Sequence, residues 1–269
     1  MIVGPVKFNK LSKEMIENFT LNNKIKVFNY FLKENKIVKN EWDEGYIKKY
    51  IEAYNPNLIK KYGQTYYYYN KYKLREPYGD NRIGGASYLL CELLEKEKLN
   101  LLNKKIAIIG SQTPWIESIL INYGANNITT VEYNVPICNH KIIKCISYND
   151  FCKSEIKYDI VLSYSSIEHS GLGRYGDKID PDGDIKTMNS IFNHLSDTGI
   201  FCLGIPVSGK DALSWNAHRQ YGPIRFNKLL LKFKKKNIFG YNLEIIKTLG
   251  AGRDWKTNVQ PWFVLKKIL

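Results

Sequence analysis

Short apolar runs alternate with longer amphipathic stretches in the second part of the chain. Short, largely apolar runs predict strands buried on both faces, and they occur at 106–109, 128–131, 142–146, 158–163 and 199–205. Helical spacing separates them, at 114–123, 184–195 and 225–236. Two last apolar runs, at 243–246 and 262–265, have no helical pattern between them and predict a closing β-hairpin. This alternation predicts an α/β fold with a mostly parallel sheet of about seven strands and helices on both faces.

The first part of the chain has a different pattern of apolar residues. Apolar residues recur every three or four positions between residues 9 and 62, as in Met15, Phe19 and Ile25, which predicts helices. A loop is predicted at 78–85 and a helix at 86–99. We therefore expect a mainly helical region at 1–103, acting as a lid, a substrate contact or a dimer contact, and an α/β domain at 104–269. Glycine-rich loops beside a core domain often close over a ligand, so 75–85 is the part of this region that we expect to touch one.

Charge adds a first functional hint. The 269 residues include 40 Lys and Arg against 26 Asp and Glu, a net charge of +14. A field of this sign attracts phosphates, nucleotides and other anions. Because the excess is spread along the chain, we expect a small anionic or sugar-containing partner and no nucleic-acid binding. A homodimer is left open.

Composition also narrows the setting. No apolar run approaches the ~18 residues that a membrane span needs, and the first residues lack the pattern of a secretory signal. The five cysteines show no CxxC spacing, which argues against a disulfide framework and a structural zinc site. These features favour a reducing cytoplasm.

A glycine and a glutamate at two strand ends point to a nucleoside cofactor. Gly110 follows the first buried strand directly, and Glu132 ends the second. A glycine there lets backbone approach a ligand, and a carboxylate there accepts hydrogen bonds from both ribose hydroxyls. A dinucleotide site needs the pattern G-x-G-x-x-G, whereas Gln112, Pro114 and Trp115 would crowd a diphosphate. The alternative is a plain turn glycine and a surface glutamate.

The fourth strand and the segment after it carry a resemblance to a known family. The sequence YDIVLSYSSIEHSG at 158–171 resembles the fourth-strand motif of class I S-adenosylmethionine (SAM)-dependent methyltransferases, which often reads FD-x-V-x-S followed by EH. The blocks GSQTPWIE, TTVEYN, SYSSIEHSGLGRYGD and WNAHRQYGPIR resemble a family of unknown function assigned to that superfamily. The resemblance covers 104–269 and implies a Rossmann-like fold with SAM as cofactor.

The resemblance also implies roles for single residues. The SAM-binding positions carried over from the family are Gly110 and Ser111 beside the methionine part, Glu132 on the ribose, Asp150 on the adenine amino group, and Ser163, Tyr164 and Ser165 along the channel to the methyl group. Asp150 has an alternative role as a helix cap.

Two segments after strand ends are candidates for substrate binding. The first, 171–184, holds four glycines and four aspartates and is predicted to be an ordered loop that contributes Arg174, Tyr175 and Asp177. Its aspartates do not have the spacing of a calcium loop, so we expect helix capping or hydrogen bonds to sugar hydroxyls and no metal. The second segment, 206–225, is expected to form a recognition surface for a sugar or a phosphate with Trp215, Asn216, Arg219, Tyr221 and Arg225. The alternative is a set of charge-balancing surface arginines.

An alcohol acceptor must lose its proton as it attacks, and histidine suits that task. His169 and His218 lie on strand-end segments and are the candidate bases, while His140 and His194 are expected to be structural. The leading hypothesis is a SAM-dependent O-methyltransferase acting on a small anionic or sugar-containing acceptor, such as a glycan precursor. The alternatives are a nucleotide-binding, sugar-modifying oxidoreductase on a Rossmann sheet and a non-catalytic, degenerate methyltransferase module.

Overall fold

The structure is a computed structural model that describes residues 4–29, 31–32, 41–62, 85–250 and 259–269. The predicted loop at 78–85 lies outside the described residues except for Gly85, and so does nearly all of the expected ligand-closing block at 75–85. Among the residues that the structure describes, no helix is long and apolar enough to cross a membrane.

Nine α-helices and twelve strands are found in the described part of the chain. The helices are α1 (Lys13–Thr20), α2 (Glu44–Ala53), α3 (Pro56–Tyr62), α4 (Gly85–Lys96), α5 (Trp115–Asn122), α6 (Tyr148–Lys153), α7 (Gly183–His194), α8 (Pro223–Leu229) and α9 (Leu243–Thr248). The strands are β1 (Lys26–Phe28), β2 (Glu41–Trp42), β3 (Ile106–Ile109), β4 (Ile128–Glu132), β5 (Ile137–Cys138), β6 (Ile143–Ser147), β7 (Tyr158–Tyr164), β8 (Leu195–Gly204), β9 (Ala212–Ser214), β10 (His218–Gln220), β11 (Phe233–Phe239) and β12 (Trp262–Lys267).

Seven strands form the central sheet, in the order β11-β12-β8-β7-β3-β4-β6. The five strands from β6 to β8 are parallel, and β12 and β11 are antiparallel to their neighbours. This confirms the predicted Rossmann-like, mostly parallel sheet of seven strands. Chain order reverses between β3 and β7, because β4 and β6 lie on one side and β8 on the other. Ligands in such sheets bind outside the carboxyl ends of the strands at this switch point.

Both faces of the sheet are covered, which explains why its central strands are largely apolar. One apolar cluster packs helices α2 to α5 against Ile106, Ile108 and Leu162. A second cluster packs α6 to α9 against Ala107, Val161 and other residues of the opposite face. Alternate residues of one strand thus enter opposite cores, and a polar side chain on either face would lie in apolar surroundings.

The closing antiparallel pair exists, but one of its strands was predicted at the wrong place. Residues 243–246 are helical, in α9, where the Asn242 side chain caps the Glu244 N–H at 2.8 Å. The partner of β12 is β11, which was expected to continue the helix at 225–236. β11 lies at the edge of the sheet, and a bulge between Lys235 and Asn237 interrupts its alternation. Exposed lysines on an edge strand protect it from pairing with other chains, and they also hide the strand pattern from sequence reading.

The helical spacing of the N-terminal region also extends further than the helix itself. α1 ends at Thr20, because Leu21, Asn22 and Asn23 adopt positive φ angles of 49°, 55° and 64° and turn the chain. The next residues form β1, which pairs with β9 in a small sheet with β10. The described residues of the N-terminal region thus contain strands as well as helices: β1 joins this region to the segment after β8, and β2 pairs with β5.

A buried ion cluster connects that segment to α7. Asp184 is fully buried and accepts a hydrogen bond from Arg225 Nε at 2.9 Å and one from the Tyr221 hydroxyl at 3.0 Å. The guanidinium of Arg219 lies 3.6 Å from the same carboxylate and donates to the carbonyls of Ser170 and Pro181. Burial alone would raise the pKa of Asp184, but the charges of Arg219 and Arg225 outweigh it and lower the pKa.

The substitution Asp184→Asn is expected to destabilise the fold by about 3–5 kcal/mol, because two guanidinium groups then remain buried without a counter-charge. Because the pKa is lowered in the folded state, the stabilisation is fully present at neutral pH and is lost as pH falls through the folded-state pKa. The free energy of unfolding from urea titrations measures the change. Asp197→Asn is the control, since Asp197 is 75% exposed and its pair with Lys267 is expected to contribute less than about 1 kcal/mol. Equal effects of the two substitutions would contradict the role of the cluster.

Candidate functional site

The loop after β3 is shaped by a close approach of the β7 end. Gly110 has a φ of +80°, and its N–H donates to the Val131 carbonyl at 2.9 Å, which continues the pairing of β3 with β4. A Cβ atom at this position would lie 1.9 Å from Ser166 Oγ. Only glycine satisfies both the backbone angle and the close contact. The glycine thus brings the ends of β3 and β7 together at the switch point.

Glu132 at the end of β4 lies against this loop. Its Oε1 accepts the Ser111 N–H at 2.5 Å, and its Oε2 accepts the Tyr133 N–H at 3.2 Å. Glu132 remains partly exposed. Burial raises the pKa of its carboxyl to about 7, although the two N–H donors act in the opposite direction. The carboxylate therefore sits beside the glycine loop, where a ribose-binding group is expected, and it still has lone pairs for a ligand.

Glu117 supports the same loop from inside the protein. It lies on α5, is fully buried, and accepts from Thr130 Oγ1 at 2.7 Å and from Ser111 Oγ at 3.1 Å. Burial raises the pKa of its carboxyl to about 7. Ser111 is thus held by one glutamate through its backbone and by another through its side chain. Sequence reasoning missed Glu117; the available signal was a lone carboxylate in the apolar helix sequence WIESILIN.

The three residues predicted to line the methyl channel lie in different surroundings. Ser163 is buried and donates to the Ile109 carbonyl at 2.9 Å. Tyr164 is buried, packs on Trp262 with ring centroids 4.7 Å apart, and donates to the Gln260 carbonyl at 3.1 Å. Ser165 is partly exposed, has a φ of +52°, and donates to Glu168 at 3.0 Å. A positive φ on a serine at a strand end is a strained arrangement of the kind found at functional sites.

His169 and His218, the two candidate bases, lie close together, with ring centroids 6.5 Å apart. His169 Nδ1 contacts the Ala217 carbonyl, which fixes the proton on Nδ1 and leaves the Nε2 lone pair free. Burial lowers the pKa of His169 to about 3 and that of His218 to about 4, and the charge of Arg174 adds to both shifts. Both rings are therefore uncharged at neutral pH. Next to them Glu168 is buried, which raises its pKa to about 7.

The loop that begins at Gly171 presents Arg174 and Tyr175 to the histidines. Asp177 accepts the N–H groups of Gly171, Gly173 and Tyr175 at 2.7, 3.1 and 3.1 Å, so its carboxylate holds the loop together. Arg174 lies over the Tyr175 ring at 5.2 Å, and the Tyr175 ring lies 5.5 Å from that of His169. A hydrogen bond between Tyr175 and Gln112 connects this loop to the glycine loop. The histidines, Glu132 and the glycine loop after β3 thus belong to one cleft.

The segment expected to form an exposed recognition surface is instead part of the interior. Trp215 is 1% exposed, donates to the Val6 carbonyl at 2.7 Å and packs on Phe8 and Phe19. Asn216 is fully buried and bonds both backbone groups of Leu32 at 2.8 Å. The other three members of that set, which are buried in the Asp184 cluster, are Arg219, Tyr221 and Arg225. The expected exposure was wrong, because these polar groups find partners inside the protein; a contact with substrate stays a prediction for them.

Asp150 lies in the first turn of α6 and takes part in its cap. Ser147 Oγ donates to the Asp150 carboxylate at 2.6 Å and accepts the Asp150 N–H at 3.0 Å. The side chain is exposed, and its contact with an adenine stays a prediction.

A groove of about 720 Å³ lies at the opposite end of the sheet, beside the amino ends of β4 and β6. Its lining includes Asn126, Asn127 and His140. The position of the switch point favours the cleft at the carboxyl ends over this groove as the ligand site.

Comparison with known proteins places the chain in a family. Residues 103–268 match the model of a family described as "Caenorhabditis protein of unknown function, DUF268". The chain belongs to this family. No curated protein matches the sequence.

Several solved structures are similar to this DUF268 chain at low sequence identity. A SAM-dependent methyltransferase from Mesorhizobium loti is 9% identical, with 66% of this chain and 98% of that one covered and a TM-score of 0.45. A TehB-like SAM-dependent methyltransferase from Corynebacterium glutamicum is 15% identical, with 80% and 100% covered and a TM-score of 0.44. Another SAM-dependent methyltransferase, from Clostridium acetobutylicum, is 11% identical, with 66% and 89% covered and a TM-score of 0.42.

The substitution Gly110→Ala is expected to destabilise the protein more than Gly124→Ala. Both glycines have positive φ angles, +80° and +89°, which cost a residue with a Cβ about 1–2 kcal/mol. Nothing lies within 4 Å of a Cβ at position 124, whereas one at position 110 overlaps Ser166 and adds about 1–3 kcal/mol. Urea unfolding of the two variants measures the difference. Adding Ser166→Gly to Gly110→Ala should restore part of the loss, and the absence of any recovery would refute the close contact.

Proposed function

We propose that this protein is a SAM-dependent O-methyltransferase acting on a small anionic or sugar-containing acceptor, of which a glycan precursor is one kind. The observation that carries the proposal is the Glu132 carboxylate bound to the Ser111 N–H beside Gly110. In addition, the antiparallel strand β12 between β8 and β11 is similar to the last strand of class I methyltransferases.

The groups around Glu132 fit a nucleoside cofactor. Each carboxylate oxygen accepts one backbone N–H and keeps an unused lone pair, and the two hydroxyls of a ribose could donate to these lone pairs. Asp150 and Tyr133 are exposed nearby on the same strand ends and are available to the base. The single glycine of the loop favours SAM over a dinucleotide, because no further bare backbone is offered to a diphosphate. This disfavours the oxidoreductase alternative.

The residues of the cleft would position an acceptor and take its proton. When bound, SAM would supply the methyl group of its sulfonium to the acceptor oxygen, and its sulfur would keep the C–S bonding pair. His169 or His218, both uncharged, accepts the proton that the acceptor hydroxyl gives up. Glu168 Oε1 lies 3.7 Å from His169 Nε2 and is placed to stabilise the ring once it is protonated. Orientation supplies much of the remaining rate enhancement.

Glu132→Gln is expected to weaken SAM binding at least tenfold while the fold is kept. A hydrogen bond to a charged carboxylate contributes about 1.4 kcal/mol more to binding than one to a neutral amide, and this difference corresponds to a factor of about ten in affinity. The pKa of Glu132 is raised to about 7, so the carboxylate becomes protonated below pH 7 and the affinity of the wild type for SAM should fall there. The variant has no carboxylate at this position, and its affinity should not show this fall. Calorimetry with SAM, S-adenosylhomocysteine and NAD measures both effects, with the exposed Glu155→Gln as control. Binding of NAD alone would favour the oxidoreductase, and binding of none would favour a non-catalytic module.

His169→Ala and His218→Ala are each expected to keep the fold and SAM binding, and at least one should abolish methyl transfer. Transfer of labelled methyl from SAM to a panel of hydroxy acids and sugar phosphates provides the assay. His140→Ala is the control, since His140 lies beside the groove at the other end of the sheet. Normal transfer by both cleft variants would remove the general-base role.

A further inference from the structure

Arg174 carries a charge that no carboxylate balances among the described residues. Its guanidinium contacts the Tyr175 ring at 5.2 Å, and no ion pair within 4.0 Å includes it in the described part of the chain. The carboxylates of this region are engaged elsewhere: Glu168 is buried, which raises its pKa to about 7, and it accepts from Ser165 Oγ at 3.0 Å. Asp177 accepts three backbone N–H groups, and Asp184 is paired with two arginines. A partly buried cation without a counter-ion is a binding site for an anion.

The position of this cation is fixed. The Asp177 bonds hold the loop on both sides of Arg174, and the buried Arg219 and Arg225 donate to the carbonyls of Ser170, Asp180 and Pro181, which lie before and after the loop. Gly171 and Gly173, with φ angles of +80° and +71°, pack against Gly183 and Gly4 with no room for side chains. A rigid support of this kind orients a guanidinium in advance and reduces the entropy lost when it binds a ligand.

Arg174, the two candidate bases and Glu168 lie close together at this point of the cleft. Arg174 acts electrostatically on His169, His218 and Glu168, which places its charge beside all three. Because the histidines are uncharged, the local cationic charge is that of Arg174. An anion at Arg174 would therefore lie next to both candidate bases.

We propose that Arg174 binds an oxyanion of the acceptor, a carboxylate or a phosphate monoester, and thereby places the acceptor's hydroxyl between His169 and His218. This inference rests on the function proposed above for the same cleft and names the acceptor's anchoring group. The planar guanidinium offers two parallel N–H donors, which match the two oxygens of either oxyanion. The anchor and the methylated hydroxyl must then lie on one small molecule, a few bonds apart, because the two imidazole rings are themselves only 6.5 Å apart.

The bound oxyanion also makes the histidines stronger bases. The charged groups that face them are Arg174, Arg219 and Glu168, with the Tyr175 hydroxyl nearby. Arg219 is already paired with Asp184, so Arg174 is the charge that a ligand can neutralise. Once neutralised, Arg174 no longer opposes a proton on either ring, and their pKa values rise. Binding of the acceptor's oxyanion thus strengthens the base that removes the proton from the acceptor's hydroxyl.

The test is an NMR pH titration of the histidine ring signals in the protein without SAM, with inorganic phosphate or acetate as the probe. Signals are assigned with His169→Gln and His218→Gln. In the wild type, phosphate or acetate should raise the pKa of at least one of these histidines by about one unit. In Arg174→Gln the pKa should be raised already, and neither probe should change it further. Lys178→Gln, an exposed residue of the same loop, should behave as the wild type.

The two probes distinguish the sources, since a response to acetate alone indicates a carboxylate acceptor and a response to phosphate alone a phosphate monoester. Unchanged histidine pKa values in the wild type with both probes would overturn the proposal, and so would an equal response in Arg174→Gln. Arg174→Lys keeps the charge and should keep the low pKa values, which separates loss of charge from loss of structure. Because no step involves SAM, failure of cofactor binding leaves this result interpretable by itself.

Discussion

The site depends on the hydrogen bonds that Ser111 donates to two glutamates. Glu132 holds the backbone N–H of Ser111 from the cleft side, and Glu117 holds its hydroxyl from the core. Between them they fix the turn that follows β3 and bring it against the end of β7. The carboxylate of Glu132 thereby stays at the mouth of the cleft, with its charge directed by the N–H groups that it accepts. A nucleoside that binds there meets a prepared acceptor group and a rigid loop.

Polar residues of this protein divide into two groups with different tasks. The residues of the Asp184 cluster, and Asp177 in the loop that begins at Gly171, form their hydrogen bonds within the protein. These bonds fix the segments on either side of the cleft. By contrast, Glu132, His218 and Arg174 remain partly exposed, and their charges or lone pairs are incompletely used within the described residues. The hydrogen bonds of the first group hold the backbone that carries Arg174 of the second group. Arg219 and Arg174 illustrate the difference, since one is paired and buried and the other lies open to a ligand.

The fold and the location of the cleft could be predicted from the sequence because both depend on local patterns. Buried parallel strands are apolar along their whole length, and the spacing of Gly110 and Glu132 on neighbouring strand ends predicted that they would meet. The Trp215 to Arg225 segment was misjudged because burial of a polar side chain depends on distant partners, such as Asp184, Val6 and Leu32, that no local pattern reveals. β11 was missed for a related reason, since lysines on an edge strand imitate a solvated helix. The lowered pKa values of His169 and His218 could not be predicted from the sequence either, because they depend on burial and on the charge of Arg174.

A crystal structure of the protein with S-adenosylhomocysteine tests the central claim most directly. The account predicts that the ribose hydroxyls lie about 3 Å from the two carboxylate oxygens of Glu132, with the Gly110–Ser111 turn beneath the ligand. It also predicts that the sulfur faces the cleft of His169 and His218. A ligand bound away from Glu132, or a carboxylate that stays on Ser111 with no contact to the ribose, would contradict it.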